Sequence, residues 1–125
     1  MIVGTVTAEG DATIYLSLRG PGGSSIDIEC VVDTGFNDWL SLTPSVIRTL
    51  GLVLRESVRF VLADGSEGVA RVFAGEVHWL GQWRRVFVLE TDGEPLVGMA
   101  LMRGCRLLID VIDGGSVEIQ PLPLL

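Results

Sequence analysis

Apolar side chains recur at every second position along much of this chain, the period of a strand that buries one face. Val3 to Thr7 and Ala12 to Leu18 alternate in this way around the turn-prone Glu9-Gly10-Asp11, so they pair as a hairpin. Gly20 to Gly23 is the next loop, and Ile26 to Val32 the next strand, running directly into Asp33. Val58 to Leu62 and Val69 to Ala74 flank Asp64-Gly65, a dipeptide that turns hairpins. Val77 to Leu80 and Trp83 to Leu89 form a further pair around Gly81-Gln82. Arg106 to Val111 and Val117 to Gln120 are the last strands, separated by a turn at Asp113-Gly114-Gly115.

Only two pieces break the period. Thr43 caps a short helix over Ser45 to Leu50, with Pro44 in its first turn and Gly51 beyond its end. Met99 to Arg103 makes a second, shorter one. No linker interrupts the series, so the pattern predicts an all-β barrel or sandwich in one domain spanning residues 1–125.

Composition narrows the chemistry. A chain of 125 residues with 48% hydrophobic content has enough apolar surface for a core. The net charge of -7 repels nucleic acid and anionic membrane surfaces, so neither is expected as a partner. The chain has no lysine, which removes P-loop and Schiff-base chemistry. The N-terminus has no basic start followed by an apolar stretch, and no window reaches membrane-spanning length, so the expected location is cytoplasmic. Cys30 and Cys105 lie far apart in apolar segments and read as free thiols. His78 stands alone beside Trp79, without ligand-spaced partners, so no metal and no Ser/His or Cys/His pair is expected. Trp79 and Trp83 could line a binding subsite, although aromatic side chains on strands more often simply pack.

Asp33-Thr34-Gly35, at the end of an apolar strand, is the candidate catalytic motif. Two carboxylates about 3 Å apart share one proton, so one acts as acid and the other as base on a water between them. Gly35 lets backbone approach the carboxylate, and the Thr34 hydroxyl suits a hydrogen bond across a two-fold axis. The chain holds one copy of the tripeptide. Asp38 is too near Asp33 to oppose it, and Asp110 and Asp113 read as strand-edge and turn residues. The second aspartate must then come from an identical chain. The alternative is a plain strand-ending turn, with Asp33 capping a backbone N–H.

The segment Val31 to Leu40, the proline-started segment Pro44 to Leu52, the hairpin around Asp64 and Gly65, and Leu96-Val97-Gly98-Met99-Ala100-Leu101 together resemble the retropepsin-like aspartic proteases, in particular the small bacterial and archaeal single-domain ones. That resemblance implies a closed, barrel-like acid-protease fold with a flap hairpin and one or two short helices. It also implies a homodimer, a peptide or protein substrate, no cofactor, and terminal strands interleaved at the interface so that the tail Pro121 to Leu125 is covered. Asp33, Thr34 and Gly35 become the catalytic motif. Ala63, Asp64, Gly65 and Ser66 become the flap, and Leu96, Val97 and Gly98 the floor beneath the catalytic loop. Met99 and Ala100 stand where retroviral members carry Arg and then Asn or Asp, and Phe36 stands where Ala or Ser is common. The expected function is an endopeptidase; its alternative is a non-catalytic homodimeric peptide-binding module on the same fold.

Overall fold

A computed structural model describes residues 1–123. Ten strands and two short helices follow one another along the chain. They are β1 (Ile2–Val6), β2 (Ala12–Arg19), β3 (Ser25–Val32), β4 (Leu40–Leu42), α1 (Pro44–Leu50), β5 (Val53–Val61), β6 (Glu67–Trp79), β7 (Gln82–Glu90), β8 (Leu96–Val97), α2 (Met99–Met102), β9 (Cys105–Ile109) and β10 (Ser116–Pro121). All the strands belong to one mixed sheet in the order β5-β6-β7-β4-β8-β3-β2-β1-β10-β9. A further pairing of Leu18 with Val77 and Arg19 with Glu76 joins β2 to β6 and closes the middle of the sheet into a barrel. The all-β, barrel-like expectation is therefore met, with both short helices in place.

Strand alternation places the core. On β2, Ile14, Leu16 and Leu18 are buried, whereas Tyr15 between them is exposed. They pack with Leu40 and Leu42 of β4, Val77 and Trp79 of β6, Val86 and Val88 of β7, and Val117 and Ile119 of β10. The apolar positions on these strands thus meet inside a closed wall, where each buried Val, Leu or Ile side chain contributes roughly 1.5–3 kcal/mol. Helix α1 begins as its sequence dictates: the Thr43 hydroxyl accepts from Val46 N–H, Pro44 occupies the first turn, and Gly51 ends the helix at φ 63°. Leu50 and Ile47 seat it on the barrel. Cys30 is fully buried and Cys105 partly so, both free, and burial, helped by the charge of Glu29, pushes the Cys30 thiol up to about 12.

The strand boundaries differ from the sequence reading at two places. The two strands expected at 69–74 and 77–80 are one strand of 13 residues, because Gly75 keeps the ladder, paired with Val86 beneath the side chain of Leu52. Strand β5 starts at Val53, well before Val58. Trp79 is core and Trp83 carries the Arg19 guanidinium over its ring at 4.1 Å, with His78 packed edge-on at 5.3 Å. Both tryptophans pack against neighbours, the role the sequence reading favoured over a subsite. Near the C-terminus, β10 is bonded on both sides within its own chain, by β1 and β9. Of the tail, Leu122 donates its N–H to Gly104 C=O, and residues 124–125 lie outside the described part.

Candidate active site

The chain leaves β3 at Val32, arches through residues 33–39 and returns as β4, leaving a gap between these strands. β8 fills the gap. Its two residues run parallel to β3, pairing Val31 with Leu96 and Val32 with Val97, and antiparallel to β4, pairing Leu40 with Val97 and Ser41 with Leu96. Ser41, 2% exposed, satisfies its hydroxyl by accepting from Leu96 N–H at 3.1 Å.

The arch is tied to this wedge along its length. Asp33 N–H donates to Val97 C=O at 3.0 Å, Gly98 N–H to Trp39 C=O at 3.1 Å, and Met99 N–H to Phe36 C=O at 2.8 Å. Gly98 is where the backbones come closest, since a Cβ there would lie 2.0 Å from Asp38 O and 2.7 Å from the Phe36 ring. No side chain fits in that space without moving backbone. The bulky Phe36, which departs from the resembling family, is accommodated by this glycine.

Asp33 is partly buried at the end of β3, and Thr34 and Gly35 are exposed. Gly35 N–H donates to Asp33 Oδ1 at 2.8 Å, and a Cβ on Gly35 would lie 3.2 Å from that same oxygen. Gly35 therefore serves close approach to the carboxylate; its φ is not in the left-handed region. Asp33, Thr34, Gly35, Leu96, Val97 and Gly98, distant in sequence, thus form one local unit. Of the other carboxylates weighed, Asp38 lies at the far end of the same arch, Asp110 accepts from Ser116 Oγ at the end of β9, and Asp113 occupies a turn.

Ala63, Asp64, Gly65 and Ser66 form the tip of the β5–β6 hairpin. Leu62 N–H donates to Ser66 C=O, and Gly65 adopts φ 87°. Asp64 Oδ1 accepts from both the Ser66 hydroxyl, at 2.6 Å, and the Ser66 N–H, at 2.9 Å, and these bonds hold its carboxyl below the usual carboxylate range. All of β5 is exposed. Among the described residues, no hydrogen bond joins this tip to the Asp33 arch.

A groove of about 400 Å³ runs from the far end of the arch to the base of the hairpin, lined by Asp38, Trp39, Arg55, Glu56 and Phe87, among others. The β5–β6 register shifts between Leu54 and Glu56, a bulge that turns Arg55 out of the ladder. Trp39 carries the Arg84 guanidinium 5.4 Å over its ring. The sequence reading did not single out Arg55, Trp39 or Phe87. Trp39 was the one open to detection, as a tryptophan only a few residues beyond the catalytic motif. Among the described residues, no group of three or more His, Cys, Asp or Glu is placed to hold a metal ion, and no helix is long and apolar enough to cross a membrane.

No protein-family model matches this chain, and no curated protein does. Solved structures do. A retropepsin-like aspartic protease from Rickettsia conorii is similar with a TM-score of 0.57 and 20% identity, over 98% of this chain and 91% of its own. EIAV protease, complexed with the inhibitor HBY-793, is similar with a TM-score of 0.53 and 14% identity, over 77% of this chain and 88% of its own. By this likeness the fold of this chain is retropepsin-like.

Proposed function

We propose that this chain is an aspartic endopeptidase that works as a homodimer, with Asp33 of each copy facing a shared water. The observation that carries this reading is the placement of Asp33: its backbone is fixed by Val97, one carboxylate oxygen is held by Gly35 N–H, and the residue is still open enough to meet a partner. Two such carboxylates about 3 Å apart share a proton, the ionised one taking a proton from water while the other donates to the substrate carbonyl. Thr34, exposed beside Asp33, supplies a hydroxyl for the contact across the two-fold axis. Leu96, Val97 and Gly98 support the arch and do not react.

The substrate is an extended peptide lying as an added strand between the arch and the β5–β6 hairpin, whose tip, residues 63–66, covers it. The groove beside Trp39 and Phe87 receives an apolar side chain. No cofactor takes part, because the nucleophile is water.

The test is mass-spectrometric detection of fragments from a mixed pool of denatured proteins, incubated at high enzyme concentration from acidic to neutral pH, beside Asp33→Asn. Cleavage by the parent that falls at least about 10³-fold in the variant is the expected result, since the amide removes the base. A folded, associated parent that produces no fragments at any pH would sink the peptidase reading and leave the non-catalytic peptide-binding module in its place.

A further inference from the structure

Basic residues are scarce on this chain, 9 against 16 acidic ones, yet two arginines face one groove on the β5–β6–β7 ladder. This face sets Val53 beside Ala74, Ala74 opposite Phe87 and Glu76 opposite Arg85. Beyond the cavity of about 400 Å³ at Asp38 and Trp39 it holds two more, of about 300 and 380 Å³, and Arg55 lines all three. Arg85 lines the further two. The three run together as one groove, from the end of the arch to Gly20 and Pro21.

The bulge in β5 brings Arg55 here. On a regular strand Arg55 and Glu56 would point to opposite faces, whereas both line the groove beside Asp38. Among the described residues the ion pairs are Arg19–Glu76 and Arg71–Glu90. Glu76 lies directly opposite Arg85 in the ladder but is drawn to Arg19 at 3.1 Å, and Arg19 also stacks on the Trp83 ring. Arg55 and Arg85 are thus both exposed and, among the described residues, have no carboxylate at ion-pair distance. Two like charges lining one groove repel, and an anion between them relieves that repulsion.

The groove is polarised along its length. Asp38 and Glu56 stand at the arch end, and the part beyond is walled by Arg55, Arg85, Trp39, Ala74 and Phe87 with no acidic lining residue. A ligand that suits it carries carboxylates for the guanidiniums and apolar surface for Phe87, which is 54% exposed. Carboxylates spaced along a peptide fit guanidiniums carried on β5 and β7, whose backbones lie about 10 Å apart with β6 between them. The groove also starts within reach of the catalytic motif. Asp38 is five residues on from Asp33, at most about 17 Å away, a distance an extended peptide crosses in about five residues.

We propose that this groove recognises an acidic stretch of the substrate, with Arg55 and Arg85 holding aspartate or glutamate side chains about five to eight residues from the bond to be cut. The inference rests on the peptidase reading given above and names the class of peptide it acts on. The net charge of -7 opposes such a ligand from afar. In about 0.1 M salt that field is screened beyond about 10 Å, and direct contact with the two guanidiniums decides.

Recognition is measured apart from cleavage, by fluorescence anisotropy of a labelled peptide of alternating glutamate and leucine on Asp33→Asn protein in about 0.1 M salt. The glutamine version of the peptide should bind about ten-fold more weakly. Arg55→Gln and Arg85→Gln should each weaken the glutamate peptide about five-fold, Arg55→Lys should recover most of that loss, and Arg106→Gln, at the opposite edge of the sheet, should change nothing. Arg55→Glu combined with Arg85→Glu should prefer the lysine version, a gain that a misfolded protein cannot show. In digests of denatured proteins by the active parent, acidic residues should be enriched five to eight positions from the cuts, and the double Gln variant should still cut but lose that enrichment. Equal binding of the glutamate and glutamine peptides, single variants without effect, or displacement of the peptide by an equal concentration of inorganic phosphate would each overturn the assignment. Binding that follows Arg55 and Arg85, with a parent that cuts nothing, would keep the recognition site and remove the peptidase. Cutting without acidic enrichment would keep the peptidase and remove the site.

Discussion

The Asp33 arch and the β5–β6 hairpin are the two loops that would enclose a substrate, and they are built in opposite ways. The arch is held by residues 97–99, the end of the β8 wedge and the start of α2, through backbone bonds to Asp33, Trp39 and Phe36, over a core in which Leu40, Val97 and Leu101 are fully buried. Beyond Val72, where β6 parts from β7, the hairpin is held by its own ladder, with Arg71 paired to Glu90 at the point of departure. Val58, Phe60, Val61, Leu62 and Val69 are exposed on it, and its local order rests on pairs such as the Phe60 ring lying over Gly68. Geometry needed for chemistry is thus fixed by the fold before any ligand arrives. The covering element keeps apolar surface in water until something else buries it.

Glycines test that contrast most strongly. Gly98→Ala forces a methyl to within 2.0 Å of a backbone oxygen of the arch, so stability should fall by at least about 3 kcal/mol in denaturant unfolding. Gly65→Ala, at the hairpin tip, meets nothing within 4 Å and bears only the left-handed strain of φ 87°, about 1 kcal/mol and local to the tip. Equal losses at the two positions would erase the distinction between the regions.

Hydroxyls give a finer version. Ser41 is buried and its hydroxyl accepts from Leu96 N–H, so Ser41→Ala removes that bond beneath the arch and should cost about 1 kcal/mol. The peptidase proposal adds that activity should fall along with stability, because β8 loses the side-chain bond that supplements its ladder to β4. Full stability in the alanine variant, measured by thermal unfolding, would mean that the wedge does not depend on this bond.

The sequence showed the two regions unequally. Long strands with one buried face announce themselves by alternation, which is why β2, β3 and β7 are legible, and α1 is legible from Thr43, Pro44 and Gly51. β4 and β8 are not. They are three and two residues long, and β4 is buried throughout, so neither has a periodicity to read. Leu96-Val97-Gly98 was found only through family resemblance, and its place between β3 and β4 depends on a parallel crossover that local sequence does not encode. Gly75 misled in the other direction, since glycine suggests a break while the ladder runs through it opposite Val86. The groove was invisible for a different reason: Trp39, Arg55 and Phe87 come together only through the closure of the barrel and the bulge in β5.

The hairpin counterpart of Ser41 is Ser66, and the smallest effect is expected there. Its hydroxyl and N–H both donate to Asp64 Oδ1, and the hydroxyl bond is the chief cause of the lowered Asp64 pKa. A carboxyl lowered in the folded state adds stability above its unfolded pKa and loses it as pH falls through the folded value. Asp64 is fully exposed, however, so this linkage belongs to the tip and not to global stability. Ser66→Ala removes the hydroxyl donor and keeps the N–H, so the Asp64 midpoint in a carbon-detected NMR titration should move up toward the ordinary carboxylate value, with the thermal unfolding temperature unchanged. If the midpoint stays where it was, the tip is not ordered by this bond, and the hairpin is looser than its ladder implies. If the unfolding temperature drops as it does for Ser41→Ala, the hairpin is coupled to the core, and the division between a prebuilt floor and a self-supporting cover fails.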